Sequence, residues 1–164
     1  GSTSLRRRVF EFNTVAKAFT TRSWNLRTES APNMIADAWA LDGHRMVVIE
    51  RDAGRGLTAV FRNVYVVDFK KVDADGYVQK RLAVDLTNIA DPNLVSLPEI
   101  HPGDVGIGNP FKVVCESIEA VQVLSASRLL LACDNNLPNL GRNPTVADDS
   151  EIIVVDVPGL KAKG

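Results

Sequence analysis

One stretch of this chain occurs twice, and that repeat limits the folds it can adopt. Residues 35–52 align without a gap on residues 118–135, at an offset of 83 positions that places Arg45 on Arg128. A repeat of this kind means that one supersecondary unit is used more than once. Short strands repeated at such a spacing are typical of the blades of a β-propeller.

Strand signals dominate the whole chain, because β-branched and aromatic residues occur in short runs separated by Gly, Pro, Asn and Asp. A turn at Asp42-Gly43 predicts a hairpin between two of these runs. The strands fall into groups of two, four and three, whereas a propeller blade has four. The predicted strands are residues 9–13, 22–26, 34–41, 45–50, 64–69, 77–86, 118–124, 128–133 and 152–157.

The predicted fold class is all-β, with β-propeller-like antiparallel blades. A propeller ring has at least four blades, so we expect the C-terminal fragment of a larger propeller. A compact β-sandwich of about nine strands is the alternative. A truncated propeller would expose a raw sheet edge, and such edges pair with other chains. We therefore also consider a homodimer formed through that edge.

The domain boundaries follow from composition. We expect residues 1–4 to be a cloning scar and flexible start, residues 5–157 to be the partial domain, and residues 158–164 to be a C-terminal tail. Residues 87–112 are rich in Pro and Gly and show neither a strand nor a helix period. We interpret them as a long loop between blades at one mouth of the channel.

Composition argues against some partners. The formal net charge of −1 gives no basic field for nucleic acid or an anionic membrane, and the run Arg6-Arg7-Arg8 reads as a solvated strand edge. No apolar run approaches the ~20 residues that span a bilayer. If the second hairpin turns at residues 125–127, Cys133 lies opposite Glu119 and not opposite Cys115. Small core residues are therefore the first interpretation of the two cysteines, and a disulfide is the second.

The ends of the two repeated hairpins are the best candidates for a site, because each apolar strand runs directly into polar residues. Together they offer an oxygen-rich set that would suit calcium, which takes 6–8 oxygen ligands. Arg51 would suit a phosphate or carboxylate. The alternative is that Asp52 and Asp134 cap turns and Arg51 pairs with a neighbouring acid. The acids of the set are Glu50, Asp52, Glu116, Glu119 and Asp134.

Two further features bear on metal binding. Glu119 lies in an otherwise apolar strand, where its repeat counterpart is Ala36. Facing the interior, it would need a partner or a metal, while the alternative is that it faces solvent. Residues 73–77 resemble the start of a calcium loop but lack its later ligands, so an Asx-type turn is the better explanation.

Several segments together resemble the family called "esterase-like activity of phytase". They are residues 35–52 with the ending Glu50-Arg51-Asp52, 64–69, 80–86, 116–136 and 143–157. The resemblance implies the latter half of a β-propeller domain, and a secreted, periplasmic or organelle-lumen hydrolase that acts on phosphate esters, with metal assistance as an open alternative. The residues that match the family pattern are Glu50, Arg51, Asp52, Glu119, Asp134, Asn135 and Asn136. The chain departs from that pattern at Ala120, where Gly is common, and at Leu137, where an aromatic residue is common.

The working hypothesis is a phosphoric-ester hydrolase that takes a small phosphorylated substrate and needs the N-terminal blades of its own domain. Its predicted catalytic residues are Glu50, Arg51, Asp52, Glu119 and Asp134. The predicted Ca²⁺ ligands are Glu119, Asp134, Asn135 and Asn136. The competing hypothesis is a non-catalytic binding or assembly module, with a fragment that is inert alone. Clustered acids would favour the first, and dispersed, individually paired acids would favour the second.

Overall fold

The structure is a computed structural model that describes residues 3–97, 101–138 and 140–161. Within these ranges the chain forms nine β-strands, one short 3₁₀ turn at Gly56–Thr58 and no α-helix. All neighbouring strands are antiparallel, so the prediction of an all-β antiparallel fold is confirmed. The strands form separate sheets of two, four and three strands, as predicted, which is not the two-sheet arrangement of a sandwich.

The first sheet is a hairpin of β1 (Arg6–Asn13) and β2 (Ala18–Arg27). The second sheet has the order β3 (Met34–Ala40), β4 (Arg45–Arg51), β5 (Arg62–Val72) and β6 (Val78–Asp85). The third sheet consists of β7 (Ser117–Ser125), β8 (Arg128–Asp134) and β9 (Ile152–Asp156). Each observed strand overlaps a predicted one, and the differences lie at the ends.

The two copies of the repeat form hairpins with the same register. In β3–β4, Ile35 pairs with Glu50, and at the equivalent position of β7–β8, Ile118 pairs with Cys133. Each hairpin has a register shift directly after that isoleucine, and in the second copy the extra residue is Glu119. The repeat therefore specifies a β-bulge as well as two strands.

That bulge corrects one prediction. Cys133 lies opposite Ile118 and not opposite Glu119, because the extra residue shifts the register by one. Cys133 forms a disulfide with Cys115, 18 residues earlier in the chain. The second interpretation of the cysteines, a disulfide, is therefore the one that the structure supports. Both cysteines also belong to the buried core, as the first interpretation expected.

Two apolar layers hold the sheets together. The larger lies between the second and third sheets and includes Val47, Ile49, Ile118 and Leu131. The smaller lies between the first and second sheets, around Leu26 and other residues that include Val48 and Tyr65 of β4 and β5. Because side chains alternate along a strand, β4 sends Val47 and Ile49 to one layer and Val48 to the other. β4 is thus covered on both faces.

The long loop follows β6 and runs to β7. In residues 87–97 and 101–112 it contains no helix and no strand, only an isolated bridge between Ile89 and Phe111. The predicted lack of regular structure is confirmed for this described part, and residues 98–100 lie outside it. A position at a channel mouth stays a prediction.

Candidate functional site

The polar ends of the repeated hairpins meet where the second and third sheets adjoin. Arg51, the last residue of β4, donates from Nη2 to the Ser117 hydroxyl at the start of β7, over 3.1 Å. Arg55 follows in the next loop and forms an ion pair of 2.7 Å with Glu116. Asp134, the last residue of β8, pairs in register with Ser117. We call Arg51, Arg55, Glu116, Ser117 and Asp134 the rim.

Glu50 does not belong to this rim, because it lies on the opposite face of β4. It is 1% exposed. Its Oε1 accepts hydrogen bonds from the Glu29 backbone N–H at 2.6 Å and the Asn33 amide at 2.8 Å, and its Oε2 accepts one from Lys80 at 2.7 Å. Lys80 also contacts the Glu29 carboxylate at 3.0 Å. Glu50 therefore joins residues 29–33 to the second sheet.

The aromatic neighbour of this cluster is Tyr65 on β5. The Lys80 ammonium lies 4.2 Å from the centre of its ring, a cation–π contact. Burial raises the pKa of Tyr65 to about 12, although the Asn63 amide donates to its hydroxyl and acts in the other direction. The phenol is thus a neutral group, and the whole cluster is packed as a structural joint.

Asp52 acts as a turn cap. One carboxylate oxygen accepts the N–H of Gly54 at 3.0 Å, and the other accepts those of Val60 and Phe61 at 2.8 Å each. These bonds tie together the two ends of the loop between β4 and β5. The alternative interpretation of Asp52 as a turn residue accounts for all of these contacts.

The remaining candidates are on the surface. Glu119 is the extra residue of the β7 bulge and is exposed, which matches the alternative that it faces solvent. Asp134 is exposed as well, and Asn135 and Asn136 are half-buried in the turn after β8. Among the described residues, no group of three or more His, Cys, Asp or Glu side chains is arranged to hold a metal ion. Calcium binding at Glu119, Asp134, Asn135 and Asn136 stays a prediction.

The turn at residues 73–76 is an Asx turn, as predicted. The Asp73 side chain accepts the N–H groups of Asp75 and Tyr77 at 3.0 and 2.9 Å. Arg27 of the first sheet contacts Asp75 at 2.8 Å and lies over the ring of Tyr77. The acids of this turn therefore hold two sheets together.

Four residues near the rim were not predicted from the sequence: Arg55, Ser117, Arg62 and Asp148. Arg62 is fully buried at the start of β5 and lies directly opposite Arg51. The predicted strand began at residue 64, so a strand two residues longer would have paired the two arginines. Asp148, 5% exposed, comes from a loop with no periodic signal, and no pattern in the sequence indicates it.

The disulfide fixes one side of the rim. Cys115 directly precedes Glu116 and Ser117, and its bond to Cys133 ties this segment to the end of β8. The rim partners of Arg51 and Arg55 are thereby attached covalently to the third sheet. The geometry is that of two guanidinium groups, at the end of β4 and in the loop after it, facing a carboxylate and a hydroxyl at the start of β7.

The model of the family described as "Phytase-like: Esterase-like activity of phytase" matches residues 1–137, and this range includes all eight candidate residues named from the sequence. Comparison with curated proteins and with solved structures gives no match. The described residues also contain no helix that is long and apolar enough to cross a lipid bilayer.

Proposed function

Because this chain belongs to the phytase-like family, we propose that it forms part of a phosphoric-ester hydrolase whose substrate phosphate binds at the rim. The observation that carries the proposal is the convergence of Arg51 and Arg55 where two sheets adjoin. Guanidinium groups match the geometry of phosphate oxygens and remain charged at all relevant pH values. The resemblance in sequence and the arginines thus point to the same chemical class of ligand.

The rim residues divide the chemistry between them. Arg51 is half-buried, so its interaction with a phosphoryl oxygen is less screened than one in open water. Such a fixed positive charge stabilises the negative charge that develops in the transition state. Asp134 is the exposed acid at the same sheet end and is the candidate for proton transfer. A divalent cation, where one binds, would supply further charge stabilisation, and no step here depends on it.

The acids themselves give this proposal little support. Glu50, Asp52 and Glu116 each have their own structural partners, and Glu119 is exposed. Dispersed and individually paired acids are the arrangement that favours a binding or assembly module. The proposal therefore depends on the arginines, and Glu50 and Asp52 have a complete structural explanation.

The test is phosphate release from a panel of phosphomonoesters and phosphodiesters, with calcium and with chelator. It uses this chain and the longer domain that the family implies, each as Arg51→Met, Asp134→Ala and the matched control Arg128→Met. Arg128 is an exposed arginine paired with Asp156 away from the rim. We expect turnover that falls by ~100-fold or more in Arg51→Met and is unchanged in the control. Absence of turnover on every ester by a folded protein would contradict the proposal.

The second candidate function, a binding or assembly module, is favoured by three exposed phenylalanines on the first sheet. Phe10, Phe12 and Phe19 are 52%, 48% and 70% exposed, and the ring of Phe19 forms edge-to-face contacts with each of the other two. An apolar cluster of this kind marks an interaction surface. If the chain is part of a larger propeller, this phenylalanine cluster would be covered by a preceding blade or by a second copy of the chain. Sedimentation of the wild type and Phe19→Ser tests the second copy, since only a dimer through this face would dissociate.

The disulfide supports the proposed location. Disulfides form and persist in oxidising compartments, which include the extracellular space, the periplasm and the lumen of the secretory pathway. We infer that the protein works in one of these compartments. Finding Cys115 and Cys133 as free thiols in protein isolated under alkylating conditions would contradict this inference.

A further inference from the structure

Arg62 has hydrogen-bonding capacity that the described part of the protein leaves unused. Its side chain is completely buried. Nη2 donates to the Gly54 carbonyl at 2.5 Å, while Nε and Nη1 have no partner among the described residues. A guanidinium has five N–H groups, and leaving buried donors unpaired is costly. A site of this kind is stable only if something else accepts those hydrogen bonds.

A second arginine shares the same deficit. Arg51 lies directly opposite Arg62 on the neighbouring strand, so the two side chains leave the sheet on the same face. Nε of Arg51 is also buried without a partner among the described residues. Like charges directly opposite each other destabilise a sheet. Two adjacent guanidinium groups with unpaired N–H groups therefore favour an anion between them.

The nearby acids do not accept hydrogen bonds from the unpaired nitrogens of this pair. Asp52 and Asp148 are close enough to influence Arg62, yet neither forms an ion pair with it among the described residues. The Asp52 oxygens are occupied by the backbone of its own turn. Burial raises the pKa of Asp148, and its Oδ2 has no hydrogen-bond partner among the described residues. Arg51 and Arg62 therefore keep buried donor nitrogens that no acid of the described residues accepts from.

We propose that Arg62 and Arg51 form an interior binding site for a tetrahedral oxyanion, and that its ligand is a phosphate group. Three unpaired donor nitrogens, Nε and Nη1 of Arg62 and Nε of Arg51, suit the several oxygens of phosphate better than a single carboxylate does. The proposal rests on the proposed function in one respect, since the phosphate would be that of the substrate or the released product. The alternative acceptor for these N–H groups is a buried water molecule, and the experiment below distinguishes it from phosphate.

Access to the site requires movement of the loop between β4 and β5. Gly54 covers the Arg62 guanidinium, and Gly56 fastens the loop to the Val114 carbonyl at 2.8 Å. Leu57 and Val60 of the same loop are exposed apolar residues, 83% and 75%, so its outer side has little packing to lose. An anion would reach Arg62 when this loop lifts, and we expect association to be slow.

The experiment measures binding of inorganic phosphate to the full chain by calorimetry and by the shift of the thermal midpoint. Ionic strength is kept constant with chloride, and sulfate and phenyl phosphate are run in parallel. We expect saturable phosphate binding that Arg62→Met weakens by ~10-fold or more, which is the loss of one charge-assisted contact. The matched control Arg128→Met removes an exposed guanidinium and leaves binding unchanged. Binding of phenyl phosphate but not of phosphate would assign the site to the ester.

The inference is overturned if phosphate, sulfate and phenyl phosphate all shift the midpoint no more than chloride, or if Arg62→Met binds these anions as the wild type does. The first result would assign the unpaired N–H groups to a buried water. Should Arg62→Met not fold, Arg51→Met decides, because it removes the other unpaired donor from a half-buried position. Binding is measured without turnover, so a protein that binds phosphate and hydrolyses nothing contradicts only the proposed function.

Discussion

The two faces of β4 carry opposite solutions to the burial of charge. On the face toward the first sheet, Glu50 is buried and receives three hydrogen bonds, one of them from Lys80. On the face toward the third sheet, Arg51 and Arg62 are adjacent and retain unpaired N–H groups. Within the described chain, the buried carboxylate of the first cluster has hydrogen-bond partners on both oxygens, whereas the second cluster keeps buried donor nitrogens without partners. The contrast separates a structural joint from a candidate binding site within one strand.

Arg142 shows that a buried arginine of this chain can have its hydrogen-bond donors satisfied by other residues of the chain. Its guanidinium donates to both oxygens of Glu151 and to the carbonyls of Val105 and Lys112. It also lies 4.8 Å from the centre of the Phe111 ring. Arg62 is buried to a comparable degree, but its guanidinium donates one hydrogen bond among the described residues, to the Gly54 carbonyl. Burial alone therefore does not indicate a site, whereas burial with unpaired donors does.

The largest effect should come from breaking the complete face. Glu50→Ala leaves the Lys80 ammonium without its buried partner, and we expect the free energy of unfolding to fall by about 3–5 kcal/mol. Urea denaturation measures this loss. The control Glu119→Ala removes an exposed carboxylate and should change stability by no more than about 0.5 kcal/mol. A loss below about 1 kcal/mol in Glu50→Ala would show that the joint is not structural.

The disulfide should rank second, because it fixes the third-sheet side of the rim. Replacing both Cys115 and Cys133 with serine frees a loop of 18 residues, and we expect a loss of about 3 kcal/mol. Denaturation of the oxidised wild type and the double variant provides the measurement. Equal midpoints for the two proteins would mean that the core alone holds Cys115 beside β8.

Arg62→Met should act in the opposite direction from Glu50→Ala. In buffer free of phosphate and sulfate, removing a buried and poorly paired charge should leave stability unchanged or raise it by up to about 2 kcal/mol. The same urea denaturation makes the comparison direct. A loss as large as that of Glu50→Ala would show that Arg62 is a satisfied structural residue, and the contrast between the two faces would disappear.

The smallest effects concern pH. Burial raises the pKa of Asp148, so the folded state binds the proton more tightly, and stability falls as pH rises through that raised pKa. Asp42 shows the reverse: hydrogen bonding, first from the His44 N–H, lowers its pKa to about 2, and its contribution is lost as pH falls from about 4 toward 2. Thermal midpoints of Asp148→Asn and Asp42→Asn between pH 3 and 8 should differ from wild type with opposite slopes. Parallel slopes would contradict this assignment.

Much of the fold could be predicted because its signals are local. Alternating apolar residues and the Asp42-Gly43 turn located the hairpins. The repeat correctly indicated that the two hairpins are structurally equivalent. The extra residue of each bulge could not be predicted, since a bulge does not change composition. In β7 the extra residue is Glu119 itself, which is exposed, and the shift places Cys133 opposite Ile118.

The sequence by itself determined the nine strands, the groups of two, four and three, and the polar ends of β4 and β8, since these depend on period and turn chemistry within short segments. Only the tertiary structure decided which buried polar residues have all their hydrogen bonds satisfied. Glu50 obtains its partners from Glu29, Asn33 and Lys80, whereas Arg62 obtains, among the described residues, only the Gly54 carbonyl. The physical reason is that hydrogen-bond satisfaction depends on atoms delivered by distant parts of the chain, and no local pattern encodes their arrival.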